Sequence, residues 1–343
     1  VPAVRPRDRL LIPTALAALL LAVTGPAHAD KGFGETDGGG GTDTGAGVDG
    51  DTVSVTAGGV VYDRSKNGGG GSSGALTSTT SWSPPACWYA PKYTPEQLQE
   101  HLEPIWEADS TGYEWDAAQR EKYNAADEEK GFNKHKSGKG YWWDSYVNDD
   151  YPPGWEACDQ GPFWVDTGDA PPAAMENAVT PAILAELAYA QVRVPGTEVT
   201  LAPADATKVN LPTWAWLDGA DFKPVSVTAS VPALGIEATA TAEPVSLKIE
   251  PGTPDAETYP ASGTCDLSDG RIGEPYARGK ADRTPPCGVK YERSSGDATF
   301  PLQATLTWKV TWTGSGGAGG DLPDGEFGAT QDVVVQEIQS INR

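Results

Sequence analysis

The stretch Leu302-Gln303-Ala304-Thr305-Leu306-Thr307-Trp308-Lys309-Val310-Thr311-Trp312-Thr313 alternates an apolar with a polar residue along its whole length. Successive side chains of an extended chain point to opposite faces, so this period of two predicts one long strand with a single buried face. The same alternation occurs at Val225, Val227, Ala229 and Val231, then at Leu234, Ile236, Ala238, Ala240 and Ala242, and again at Val245, Leu247 and Ile249. A turn-rich loop over 321–328 leads to a last strand over 330–341. Strands of this kind, separated by Gly and Pro turns, predict that residues 194–343 form an antiparallel β-sandwich of two sheets.

Residues 81–193 differ in texture and are expected to form an aromatic-rich α+β domain, so the fold class is α+β. Thr94-Pro95-Glu96-Gln97 reads as a helix start, with threonine as N-cap, proline at the first helical position and glutamine closing a capping box. Leu98, Leu102, Ile105 and Trp106 then share a face, and Pro104 is expected to kink or end the helix early. A polar helix is predicted over 115–130, short aromatic strands over 141–147 and 162–165, and a helix over 174–192. Eight of the twelve tryptophans lie in this region, at 82, 88, 106, 115, 142, 143, 155 and 164. With few Leu, Ile and Met available, indoles filling the core is the preferred reading. The sharper reading is a glycan-stacking platform of Trp142, Trp143, Trp155 and Trp164. Trp142 and Trp143, adjacent on a strand, point to opposite faces, so one of them is expected to be exposed or covered by the linker.

The N-terminal part has little core-forming capacity. Residues 30–80 are dominated by Gly, Ser, Thr and Asp and read as a flexible leader, except 52–62, whose Val53, Val55, Val60, Val61 and Tyr62 suit a strand that docks on the folded part. Over 1–29, Arg5, Arg7 and Arg9 precede an apolar run at 10–23 and the Ala27-His28-Ala29 triplet, the order of a secretory signal peptide. The run is too short to span a bilayer. Cleavage before Asp30 would remove three arginines and one aspartate and take the formal charge from −23 to −25. Such a charge argues against nucleic-acid and anionic-lipid partners. In an oxidising compartment Cys87, Cys158, Cys265 and Cys287 read as two disulfides. Three pairings are open from sequence, and the regional distribution favours Cys87 with Cys158 and Cys265 with Cys287.

A resemblance attaches to the C-terminal half. Asn210-Leu211-Pro212-Thr213-Trp214-Ala215-Trp216-Leu217, the alternating strands from Val225, and residues 305–316 resemble the C-terminal half of a group of secreted actinobacterial proteins without an established activity, which is similar to a PKD-type immunoglobulin-like domain. Where the PKD signature has a tryptophan followed by Gly-Asp-Gly, this chain has Leu-Lys-Ile-Glu-Pro-Gly-Thr-Pro-Asp at 247–255. The resemblance implies a binding or spacer module and supplies no catalytic residue.

Enzyme motifs fail individually. Gly32 and Gly34 follow no strand, so no dinucleotide fingerprint forms. Ser137-Gly138-Lys139-Gly140 lacks both the spacing of a phosphate loop and the hydroxyl residue after its lysine. Gly70-Gly71-Ser72-Ser73-Gly74 lies in the glycine-rich leader and makes no nucleophile elbow between a strand and a helix, and there is no His-Glu-x-x-His helix. His101 reads as a surface residue of the capped helix, and His135 as part of a mobile lysine-rich turn. No metal or cofactor is expected. The function expected is that of a secreted, non-catalytic binding or structural protein, released or held non-covalently at the cell envelope, with an extracellular glycan or surface protein as partner. The alternative is a carbohydrate-active hydrolase using paired carboxylates, sought at 144–150 beside Trp142 and Trp143.

Overall fold

The computed structural model describes residues 46–49, 52–57, 59–68, 73–107, 131–149, 151, 153–217 and 222–338. Strand Phe300–Gly314 buries Leu302, Ala304, Leu306, Trp308 and Val310 and exposes Gln303 and Lys309, as its alternation requires. It pairs antiparallel with Ile236–Glu250 on one edge and with Gly319–Val333 on the other. The three strands are the spine of the molecule.

The expected immunoglobulin-like or PKD-like sandwich is not formed, and the resemblance to that domain type is corrected with it. Among the described residues fourteen strands join one continuous sheet, and no sheet closes into a barrel or sandwich. The cause lies in Ile236–Glu250, which changes partner halfway. Its first half pairs with Val225–Val231, ending at Ala242, and its second half takes up Thr264–Ser268 from Ser246. Between them the register against Phe300–Gly314 shifts at Pro244 and Ser246. Proline has no N–H to give to a ladder, and a bulge bends and twists its strand, so Glu243-Pro244-Val245 suits the point where one neighbour is exchanged for another. One branch continues from Val225–Val231 through Val60–Asp63 and Thr52–Ala57 to Ala46–Asp49. The other runs through Arg271–Gly273, Pro212–Leu217 and Gly288–Tyr291 to Ala256–Tyr259.

Helix Pro181–Ala190 packs on the spine. Ala229, Ala238, Ala240 and Ala242 are fully buried, and such small side chains let a helix approach closely while Leu184, Leu187 and Tyr189 fill the space between. Each buried leucine contributes about 1.5–3 kcal/mol. The predicted start at 174 is corrected to 181. Thr180 caps the helix, its Oγ1 accepting from the Ile183 N–H at 3.3 Å. The residues before it pair instead with strand Cys87–Tyr93, the Tyr89 N–H donating to Asn177 O and the Val179 N–H to Tyr89 O.

Cys87–Tyr93, Gly140–Val147 and Phe163–Asp166 form a separate three-stranded antiparallel sheet. Helix Pro95–Glu107 covers one face. Its capping box is closed, with the Thr94 N–H on Gln97 Oε1 at 2.9 Å and the Gln97 N–H on Thr94 Oγ1 at 3.3 Å. The helix runs through Pro104 to Glu107, so Pro104 does not end it early. Leu98 and Leu102 bury against Phe132 and Trp142 on this face, whereas Trp143 joins Tyr89 and Phe163 in the main core on the other. Both faces are therefore covered, and Trp142 and Trp143 are 2% and 1% exposed, so neither is open and the cover over Trp142 is helix Pro95–Glu107 with Phe132 rather than the linker. The helix expected over 115–130 lies outside the described residues.

One connected cluster of buried side chains runs from Val60 to Val335 and takes in residues from both sides of position 193. Part of the stretch read as a leader is paired: Val60 and Tyr62 are buried, Gly74–Ala75 pairs with Arg193–Val194, and Thr77–Ser78 with Gly319–Val333. Disulfides join Cys87 to Cys158 and Cys265 to Cys287. Among the described residues no helix is long and apolar enough to cross a membrane.

Candidate functional site, a buried lysine and aspartate under the aromatic sheet

Asp144 follows Trp142 by two positions and so lies on the sheet face beneath helix Pro95–Glu107. It is 2% exposed. Lys92 is the extra residue of a bulge, since Pro91 pairs with Trp143 and Tyr93 with Trp142, and bulges re-aim side chains. Its Nζ donates to Asp144 Oδ2 at 3.2 Å and to Ser145 O at 3.0 Å. The other carboxylate oxygen, Oδ1, accepts from the Ser145 N–H at 2.8 Å.

Aromatic rings wall the pair. The Lys92 ammonium sits 4.8 Å from the Tyr146 ring centre and 5.7 Å from that of Tyr93. The Tyr146 hydroxyl donates to Pro91 O at 3.2 Å. His101 enters from the helix and stacks on Tyr93, ring centres 5.2 Å apart, so it is half-buried rather than a surface residue. Burial pushes the Asp144 carboxyl above its ordinary value, against the opposing pull of Lys92 and the Ser145 N–H. The His101 imidazole is pushed down, first by burial and then by the Lys92 charge. Burial also raises the hydroxyls of Tyr93 and Tyr146. The arrangement holds an amine against a carboxyl with water largely excluded.

The four tryptophans proposed from sequence do not share a surface. Trp142 donates its indole N–H to Phe132 O at 2.8 Å, and with Trp143 it is core. Trp164 is half-buried, edge-on to Trp142 at 5.7 Å, with its N–H on Asp166 Oδ1 at 2.9 Å and the Lys136 ammonium 5.9 Å from its ring centre. Trp155, half-buried, donates to Asn148 O at 3.1 Å. Of the carboxylates sought at 144–150, Asp144 is engaged by Lys92, Asp149 is exposed and residue 150 lies outside the described part. His135 is exposed in the short 3-10 helix Lys134–Lys136. A polar hollow beside the Cys265–Cys287 disulfide is lined by Thr264, Asp266, Ser268, Asp269, Arg271 and Glu274.

Sequence reasoning missed Lys92 and the tyrosines around it. The signal available was Pro91, which marks an interruption in an otherwise regular strand, and a single acid placed directly after two tryptophans. Scanned against family models, curated proteins and solved structures, the chain matches none.

Proposed function

We propose that this chain is a non-catalytic binding or structural protein of the extracellular space or cell envelope, with a glycan or surface protein as its partner. The observation that carries this reading is the pair of disulfides, Cys87–Cys158 and Cys265–Cys287, which engage all four cysteines. Cystines persist in oxidising compartments and are rare in the cytosol. The basic and then apolar order of residues 1–29 and the formal charge of −23 support the same placement. A broad polar face supports a binding role: Ser226, Thr241 and Thr311 align across three strands, as do Thr228, Thr239 and Thr313. The carboxylate best placed for hydrolysis, Asp144, is instead engaged by Lys92 beneath a helix.

The test is expression of the full chain in a secreting bacterial host. The expected product is a protein outside the cytoplasm beginning at Asp30, without free thiols, and retained on wall polysaccharide or on intact cells. A chain recovered only from the cytoplasm with four free thiols would contradict the reading.

A further inference from the structure

Lys92 and Asp144 differ from the other lysine pairs of the described residues in one respect. The carboxylate side chains facing Lys136, Lys248, Lys280, Lys290 and Lys309 are at least 41% exposed, whereas that of Asp144 is 3% exposed. We propose that Lys92 and Asp144 condense to an intramolecular amide, cross-linking strands Cys87–Tyr93 and Gly140–Val147 with loss of one water.

Each participant is in place. Away from water the separated charges of an ammonium and a carboxylate are disfavoured relative to neutral amine and acid. A proton passes from Nζ to Oδ2 across their 3.2 Å contact. The freed lone pair of Nζ attacks Cγ, and the double bond to Oδ1 opens. The negative charge formed on Oδ1 meets the Ser145 N–H that already donates to it at 2.8 Å, in the manner of an oxyanion hole. A second proton moves from nitrogen to Oδ2, the Cγ–Oδ2 bond breaks, and water leaves as the carbonyl reforms. Ammonium and carboxylate become amide and water, with nothing oxidised or reduced and no co-reactant.

Position does the rest. Ser145 O, accepting from Nζ at 3.0 Å, holds the amine beside the carboxyl, so the encounter is intramolecular and pre-oriented. The upward push of burial on Asp144 favours the acid form that the attack requires. The rings of Tyr93 and Tyr146 limit the access of water, which slows hydrolysis of the product. Two buried charges disappear, and their desolvation cost with them.

The decisive experiment is the intact mass of the purified wild-type chain, followed by tryptic mapping. The mass is expected to fall short of that calculated from sequence and cystines by one water. Trypsin is expected not to cut after Lys92 and to yield a branched peptide linking Lys92 to Asp144. Asp144→Ala and Lys92→Arg should restore the full calculated mass, and Asp144→Asn should lose ammonia in place of water. A wild-type chain of full calculated mass that is cut after Lys92 overturns the proposal, whether or not the variants fold. A water loss that persists in both Asp144→Ala and Lys92→Arg places the condensation elsewhere and overturns it equally.

Discussion

In strand Phe300–Gly314 every second side chain from Leu302 to Val310 enters the core and those between them stay polar, whereas in Gly140–Val147 the neighbours Trp142 and Trp143 are both buried, one on each face. The long strand belongs to a sheet with one covered face. The short one is a middle layer, with helix Pro95–Glu107 on one side and the main core on the other. A covered second face is also what creates the interior in which Asp144 and Lys92 meet. Alternation identifies the first kind of strand and is blind to the second, because a strand buried on both sides has no polar phase to reveal its period.

Truncation should show the two regions to be equally dependent on their indoles. Trp308→Ala in the large sheet and Trp142→Ala or Trp143→Ala in the small one are each expected to cost about 3–5 kcal/mol in denaturant unfolding. A cost near zero for Trp142→Ala, with Trp143→Ala still severe, would mean that the helix face is open and would end the comparison.

The disulfides divide between the two regions. Cys87–Cys158 closes a loop with a sequence separation of 71 and ties the aromatic sheet, while Cys265–Cys287, with a separation of 22, ties a branch of the large one. Loop-closure entropy predicts losses of about 4 and about 3 kcal/mol when each pair is replaced by serine, measured by thermal unfolding. The reverse order would locate the weaker native structure in the large sheet.

The smallest effect concerns pH. Burial holds the folded-state pKa of His101 below its ordinary value of 6.5, so the unfolded chain takes up the proton first. The stability this provides is present above 6.5 and is lost progressively as the pH falls through that value towards the lower folded-state one. Wild type should therefore lose stability relative to His101→Phe on acidification in that window, followed by unfolding midpoints across a pH series. Parallel curves would return His101 to the surface.

Much of the strand content was legible, and for a physical reason. Leu302 to Val310, Val225 to Val231 and Ala238 to Ala242 carry their burial in a period of two, and the capping box at Thr94 carries its hydrogen bonds in the residue types themselves. Strand order was not legible, because it depends on Ile236–Glu250 exchanging neighbours at Pro244, and the pattern on either side of that proline reads the same whichever strand lies beside it. The site was half legible. Asp144 lay within the stretch singled out for carboxylates, but its partner proved to be Lys92, distant in sequence and turned inward by a bulge that periodicity cannot show. Trp142 and Trp143 fill the core, the reading that the scarcity of Leu, Ile and Met favours, on a strand whose aromatic residues also mark it in the sequence.

The aromatic sheet is closed on both faces, by helix Pro95–Glu107 on one and the main core on the other. Oxidation of the native protein with N-bromosuccinimide, with each tryptophan located by peptide mass mapping, tests it directly. Trp142 and Trp143 are expected to remain unmodified together with Trp308, half-buried Trp155 and Trp164 to react before them, and all five to react once the chain is unfolded. Modification of Trp142 or Trp143 in the folded protein, at a rate matching Trp155, would contradict it.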